Sequence, residues 1–290
     1  PSTGSTTPVT TAVTTQPTTD DPIDAFGEID TQPSVTLDTV PRLLPGDAFD
    51  PALTDRIEYE VPSGKFTLQQ TWVRAGADGV VDAVVTATTE RDHERSGSPI
   101  AIDGWPAATR NETDDGSILL NLNSDAGTVQ LSATGLDLDD VVAIAASLTV
   151  DDATQSWRSD LLAPPGWTAF DQGWRAGAAV RTLIENGDDG IPHTELTTSV
   201  GVSIADLGLP FAPGTGRLVE VAGRPALAAS SAGVESLVLL DPNGTALSVA
   251  TRNAPDSPDE IVASLAEVDQ ATWDASSSPG AYDGCSGVIC

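Results

Sequence analysis

From about residue 52 onward, apolar residues recur at every second position in short runs broken by Gly, Asn and Asp. In Ser117-Ile118-Leu119-Leu120-Asn121-Leu122, the side chains of Ile118, Leu120 and Leu122 share one side. In Thr128-Val129-Gln130-Leu131-Ser132-Ala133, Val129, Leu131 and Ala133 share one face and polar residues take the other. A period of two marks half-buried antiparallel strands. The intervening Asn123-Ser124-Asp125-Ala126-Gly127 has the residues of a hairpin turn. The period then lengthens. Val141, Val142, Ala145 and Leu148 stand at i, i+1, i+4 and i+7, which predicts a helix capped by Asp137 or Asp140. A helix this short is held by packing on a sheet.

The same succession occurs twice. Ile102-Asp103-Gly104-Trp105-Pro106-Ala107 matches Val221-Ala222-Gly223-Arg224-Pro225-Ala226. Gly127-Thr128 matches Gly244-Thr245, which pairs the strand residues Val129 and Leu131 with Ala246 and Ser248. Ile144-Ala145-Ala146-Ser147-Leu148 matches Ile261-Val262-Ala263-Ser264-Leu265. The second helix opens with Ser257 as N-cap, Pro258 at N1 and Glu260 at N3, a capping box. The front halves align more loosely: Val61-Pro62-Ser63-Gly64-Lys65-Phe66 with the stretch from Pro164 to Phe170, and Trp72 with Trp174. The expectation is an α+β protein with two copies of one strand-rich domain, 52–158 and 159–275. Each copy is a curved antiparallel sheet closed by one C-terminal helix on its inner face. A cleft between the copies is then the first place for a ligand.

Residues 1–51 differ in character. The opening PSTGSTTPVTTAVTTQPTT has no charge and no periodicity, so it is expected to be a disordered stalk. Residues 20–50 are acidic and Pro-rich with isolated apolar residues, among them Val35 and Leu37, and read as a lead-in that docks on the domains. The chain has no methionine, so it reads as a processed product or a fragment, with any signal or membrane anchor upstream of Pro1.

Charge narrows the function classes. The 290 residues carry a formal charge of −30, and only one basic residue, Lys65, is not arginine. So few cations argue against nucleic-acid binding and against a polybasic grip on anionic lipid. The composition fits an acidic exported protein of a high-GC, Gram-positive-type bacterium. Self-repulsion on this scale favours a monomer.

The candidate chemistry is sparse. His93 lies in the mixed-charge run Glu90-Arg91-Asp92-His93-Glu94-Arg95, and His193 follows Pro192 after a turn. Nothing in their spacing builds a metal site with Asp92 or Glu195. The acidic turns at 186–190 and 241–244 lack the order of a calcium-binding loop and read as hairpin turns. No nucleophile elbow, phosphate loop or dinucleotide fingerprint is present, so no catalytic residue, metal or cofactor is assigned. Cys285 and Cys290 enclose four residues in the tail 276–290, and in an exported protein they are expected to form a local disulfide. Asn111-Glu112-Thr113 and Asn243-Gly244-Thr245 are sequons. Trp72, Trp157, Trp167 and Trp174 flank the junction of the two copies and are the candidate lining of an apolar groove for a lipid, peptide or protein ligand.

The repeated residues carry a family resemblance. Gly104, Pro106, Ala107, Gly127, Thr128 and Ser147-Leu148, and again Gly223, Pro225, Ala226, Gly244, Thr245 and Ser264-Leu265, give one order of motifs. It resembles the extracytoplasmic domains of membrane-anchored, anti-sigma-factor-type bacterial proteins. It is also similar to the lipoprotein-carrier family with its curved sheet. The resemblance implies an outward-facing sensing or lipid-handling module without catalytic residues. A secreted hydrolase with an unrecognised site is the remaining alternative.

Overall fold

A computed structural model of the chain describes residues 35–46, 49–90, 97–112, 116–124, 127–151, 156–187, 190–202, 214–240 and 245–279. The strands are β1 (Leu43–Leu44), β2 (Thr54–Ala75), β3 (Val81–Glu90), β4 (Ser98–Ile100), β5 (Ala107–Glu112), β6 (Ile118–Ser124) and β7 (Gly127–Thr134), followed by the helix α1 (Leu138–Ala146). Then come β8 (Thr149–Asp151), β9 (Ser156–Arg158), β10 (Thr168–Asn186), β11 (Pro192–Val200), β12 (Gly216–Val221), β13 (Arg224–Ser231), β14 (Val234–Leu240) and β15 (Thr245–Arg252). The chain closes with α2 (Pro258–Ser264), β16 (Ala266–Glu267), α3 (Gln270–Ala275) and β17 (Ser278–Pro279). The protein is strand-rich, with open antiparallel sheets and few helices.

One sheet dominates, in the order β12-β13-β14-β15-β11-β10-β2-β3-β7-β6-β5-β4, with β17 beside β2. The two long strands β2 and β10 form its centre, paired antiparallel from Thr54↔Glu185 to Val73↔Thr168 across two bulges. Reading outward from this seam, β2-β3-β7-β6-β5-β4 and β10-β11-β15-β14-β13-β12 have the same chain order. A helix follows the strands of each half: α1 packs under the first, α2 under the second.

The alternating runs lie where the sequence puts them. Ile118↔Ala133, Leu120↔Leu131 and Leu122↔Val129 face each other across β6 and β7, all buried against α1. Asp137 caps α1 by accepting from the Asp140 N–H at 2.9 Å. The buried face of α1 is Val141, Ile144 and Ala145, with Leu148 just beyond it, so Ile144 takes the place expected for Val142. That is the ordinary i, i+3, i+4, i+7 stripe. On α2, the Glu260 carboxylate accepts from the Ser257 N–H at 3.0 Å and from its hydroxyl at 2.8 Å. These bonds hold the Glu260 carboxyl below its ordinary value.

Two parts of the sequence alignment are corrected. The β2–β3 and β10–β11 hairpins share described tip features: Gly76 N–H donates to Val80 O and Gly187 N–H to Ile191 O, both at 2.9 Å, with Gly79 and Gly190 at positive φ. Setting the tips in register brings Trp72 onto Leu183, four residues before each tip, rather than onto Trp174. Both are buried against their helices. On β15 the residues facing α2 are Leu247 and Val249, not Ala246 and Ser248. A slip of one residue moves every side chain of a strand to the other face.

The lead-in docks. Val35 and Val40 pack with Ala179 and Val200, while Leu44 and Phe49 enter the core beneath the second half. Its anchor is Arg181, only 3% exposed. The Arg181 guanidinium donates to the carbonyls of Val40 (3.1 Å) and Leu37 (2.9 Å), pairs with Glu58, and lies 5.7 Å over the Trp273 ring. Trp273 Nε1–H donates to Glu58 Oε1 at 3.1 Å, and Arg56 ties Asp274 to the same patch at 2.5 Å. Burial, with Arg42 nearby, lowers the Arg181 pKa to about 10, so the group stays charged at neutral pH. Residues 1–34 and the cysteines at 285 and 290 lie outside the described residues.

Candidate functional site

Where the sequence leads one to expect a cleft between the copies, the strands β2 and β10 are hydrogen-bonded directly to each other. Pairing β2 with β10 satisfies two backbone edges that would otherwise be exposed. Behind the seam, Val73, Val81 and Val84 of the first half pack with Leu227, Ala229 and Val238 of the second. The Gly79 carbonyl at the β2–β3 tip accepts from the Leu218 N–H at 2.9 Å, which draws β12 onto that tip. The junction is therefore hydrogen-bonded and packed.

Of the four tryptophans expected to line a groove, Trp72, Trp157 and Trp167 belong to the core of the first half. Trp72 is 3% exposed, Trp157 0% and Trp167 9%, and all three lie in one cluster with α1. Trp157 Nε1–H donates to the Thr89 hydroxyl at 2.7 Å, and Trp105 Nε1–H to the Ala145 carbonyl at 3.0 Å. The two rings stack tilted, 6.2 Å between centroids. Large rings with one polar tip suit a small core in which each N–H finds an acceptor. Trp167 borders this core and carries Arg74 over its face at 5.3 Å. The side chain of Trp174, like His93, lies outside the described residues. His193 covers the hairpin glycine Gly187, where a Cβ would come within 2.4 Å of its ring. Among the described residues no group of three or more His, Cys, Asp or Glu converges to hold a metal.

The open cavity lies at the far edge of the second half. The β12-β13-β14 meander is joined by two-residue turns, Ala222-Gly223 and Ala232-Gly233, all four residues at positive φ. That is the chemistry of type I′ hairpin turns, whose twist matches the strands. Alternation places Val219, Val221, Ala228 and Leu237 on the face toward α2. They floor a groove of about 410 Å³ that runs up to Pro258 and Asp259 at the start of α2. Arg217, Ala228 and Leu237 form one cross-strand row, and Ser230 and Glu235 the next. The Arg217 guanidinium donates to the Asp78 carbonyl at 2.5 Å, which turns it toward the β2–β3 tip. Glu235 and Asp259 border the groove from β14 and α2, while Glu220, between Val219 and Val221, alternates to the other face of β12. Among the described residues neither Glu235 nor Asp259 has a cationic partner. A second hollow, about 430 Å³, lies at the corresponding edge of the first half, over Pro99, Ile100, Ile102, Trp105 and Pro106.

The volume of the first groove falls in the range of about 300–1,000 Å³ typical of small-molecule sites, and an apolar floor with a few polar groups is their usual lining. Sequence reasoning missed it because its floor residues look like ordinary strand residues. The available signal was Glu235, a lone carboxylate on the apolar face of β14. No family model matches the chain, and neither does any curated protein.

Proposed function

We propose that this chain is a non-enzymatic ligand-binding or sensing region that works outside the cytoplasmic membrane. The observation that carries the binding half of this reading is the groove over β12–β14: an open, apolar-floored cavity bordered by the carboxylates of Glu235 and Asp259. The extracytoplasmic half rests on the Thr/Pro-rich composition of residues 1–19 and on Cys285 and Cys290, spaced for a local disulfide.

The two halves are read as copies of one unit of six strands and a helix. Their identical strand order about the β2–β10 seam supports duplication, as do the matched hairpin tips and the Gly104 and Gly223 turns, both at positive φ. Within that reading the resemblance to anti-sigma-factor-type outer domains points to sensing. The carrier alternative, with lipid held under each sheet, is opposed by what fills that space: Trp157, Leu120, Leu122 and Leu131 in the first half and Leu183, Leu239 and Trp273 in the second.

Two measurements test the proposal together. Cell fractionation of the source organism should place the protein outside the cytoplasm. Native mass spectrometry of protein isolated without denaturation should show a bound small molecule that is released on unfolding. A cytoplasmic protein, or a turnover that depends on His193, would sink it.

A further inference from the structure

The groove also says what kind of ligand it takes. Its floor offers Val219, Val221, Ala228 and Leu237, so the ligand brings an apolar body. Its border offers the carboxylates of Glu235 and Asp259. Among the described lining residues the cation is Arg217, whose guanidinium is turned to the Asp78 carbonyl. The local field is therefore negative, and the overall charge of −30 reinforces it by drawing cations toward the surface. A carboxylate-ended amphiphile would meet uncompensated like charge here, whereas an ammonium-ended one finds partners at the border and apolar contact on the floor.

We infer that the groove over β12–β14 binds a small cationic amphiphile, a primary ammonium group on an apolar stem. This rests on the binding reading above and narrows it. Glu235 on the floor face of β14 and Asp259 on α2 approach from two elements, so both hold the ammonium end while the stem lies along Val219, Ala228 and Leu237. The cavity volume sets the size as that of a small molecule rather than a folded segment.

The test is an amide-resolved NMR titration of the whole chain with n-octylammonium, n-octanoate, octyl glucoside and the tripeptide Leu-Lys-Leu. Octylammonium should shift the amides of Val219, Ala228, Leu237 and Asp259, at least about fivefold more tightly than octanoate, and the preference should shrink as salt is raised. Glu235→Gln and Asp259→Asn should each weaken it about two- to fivefold, the range for exposed ion pairs. Asp259 is exposed on the first turn of α2, so its variant keeps the fold and guards against misfolding of the other. Equal binding of octanoate and octylammonium would overturn the cation assignment. Binding of octyl glucoside in that case would leave the groove reading standing. Binding of the tripeptide without octylammonium would overturn the assignment in favour of a peptide site. Shifts with none of the probes would overturn the cation assignment and count against the groove reading as well.

Discussion

Replacing Arg181 with methionine tests whether the lead-in is part of the folded protein. The variant keeps a similar apolar stem and deletes the guanidinium. It removes the bonds to the Leu37 and Val40 carbonyls and the charge facing Glu58. Glu58 is left with Trp273 Nε1–H at 3.1 Å and the Arg56 guanidinium at 3.5 Å. Breaking a buried pair by removing one partner costs about 3–5 kcal/mol, and the contacts retained by Glu58 favour the lower end. At about 2–4 °C per kcal/mol for a chain of this size, melting should fall by about 6–20 °C. Hydrogen exchange should locate the damage. The Leu37 N–H, held at 2.6 Å by Glu60, and the Val268 N–H, held at 2.9 Å by the Arg42 carbonyl, should lose protection first. The double variant Glu58→Leu with Arg181→Met should cost less than the sum of the two singles by at least about 1 kcal/mol, since no orphan charge remains. A single variant that melts within about 2 °C of the parent, or that loses stability while residues 35–46 keep their protection, would refute this account.

Other outcomes follow from single contacts. Trp157→Ala should destabilise the first half by about 3–5 kcal/mol in urea unfolding, and Trp157→Phe by about 1–3 kcal/mol through the stranded Thr89 hydroxyl, since Trp157 fills a core rather than a groove. Gly135→Ala should cost more than about 1 kcal/mol, because Gly135 sits at φ +78° and a Cβ there would meet the Asp82 carbonyl oxygen at 2.0 Å. The Glu260 carboxyl, held low by Ser257, should titrate below ordinary glutamates in a carbon-detected NMR series. Its folded-state pKa is depressed, so the cap it forms is fully present above the unfolded value near 4.5 and is lost as pH falls through the folded one. A Glu260 that titrates at or above 4.5 would contradict the capping geometry.

Much of the fold was legible because one physical signal dominated each stretch. Leu120 and Leu122 alternate with polar neighbours, so β6 could be read with its buried face. Ser257, Pro258 and Glu260 announce the start of α2 through backbone chemistry alone. The rest depended on distant partners. Val142 and Ile144 are equally apolar, and only the direction of the sheet decides which one is buried. Thr245 begins a strand buried on both faces, so no alternation marks which residues look toward α2. The lead-in has few apolar residues, and beside them its docking draws on Arg181, 141 residues from the Val40 carbonyl it binds. The tryptophans invited a groove because size and polarity alone do not separate a binding aromatic from a core one. For Trp157 the buried N–H partner, the Thr89 hydroxyl, does.

The central claim is that the groove over β12–β14 is a binding site, and Ala228→Trp tests it most directly. Ala228 lies on the groove floor between Arg217 and Leu237, half-buried, so an indole there occupies the cavity without entering the packed core. The account predicts that the variant melts within about 2–4 °C of the parent, the equivalent of about 1 kcal/mol, while octylammonium binding weakens at least about tenfold. Undiminished binding in a folded variant, or amide shifts mapping to the Trp72–Trp157–Trp167 core instead, would contradict it.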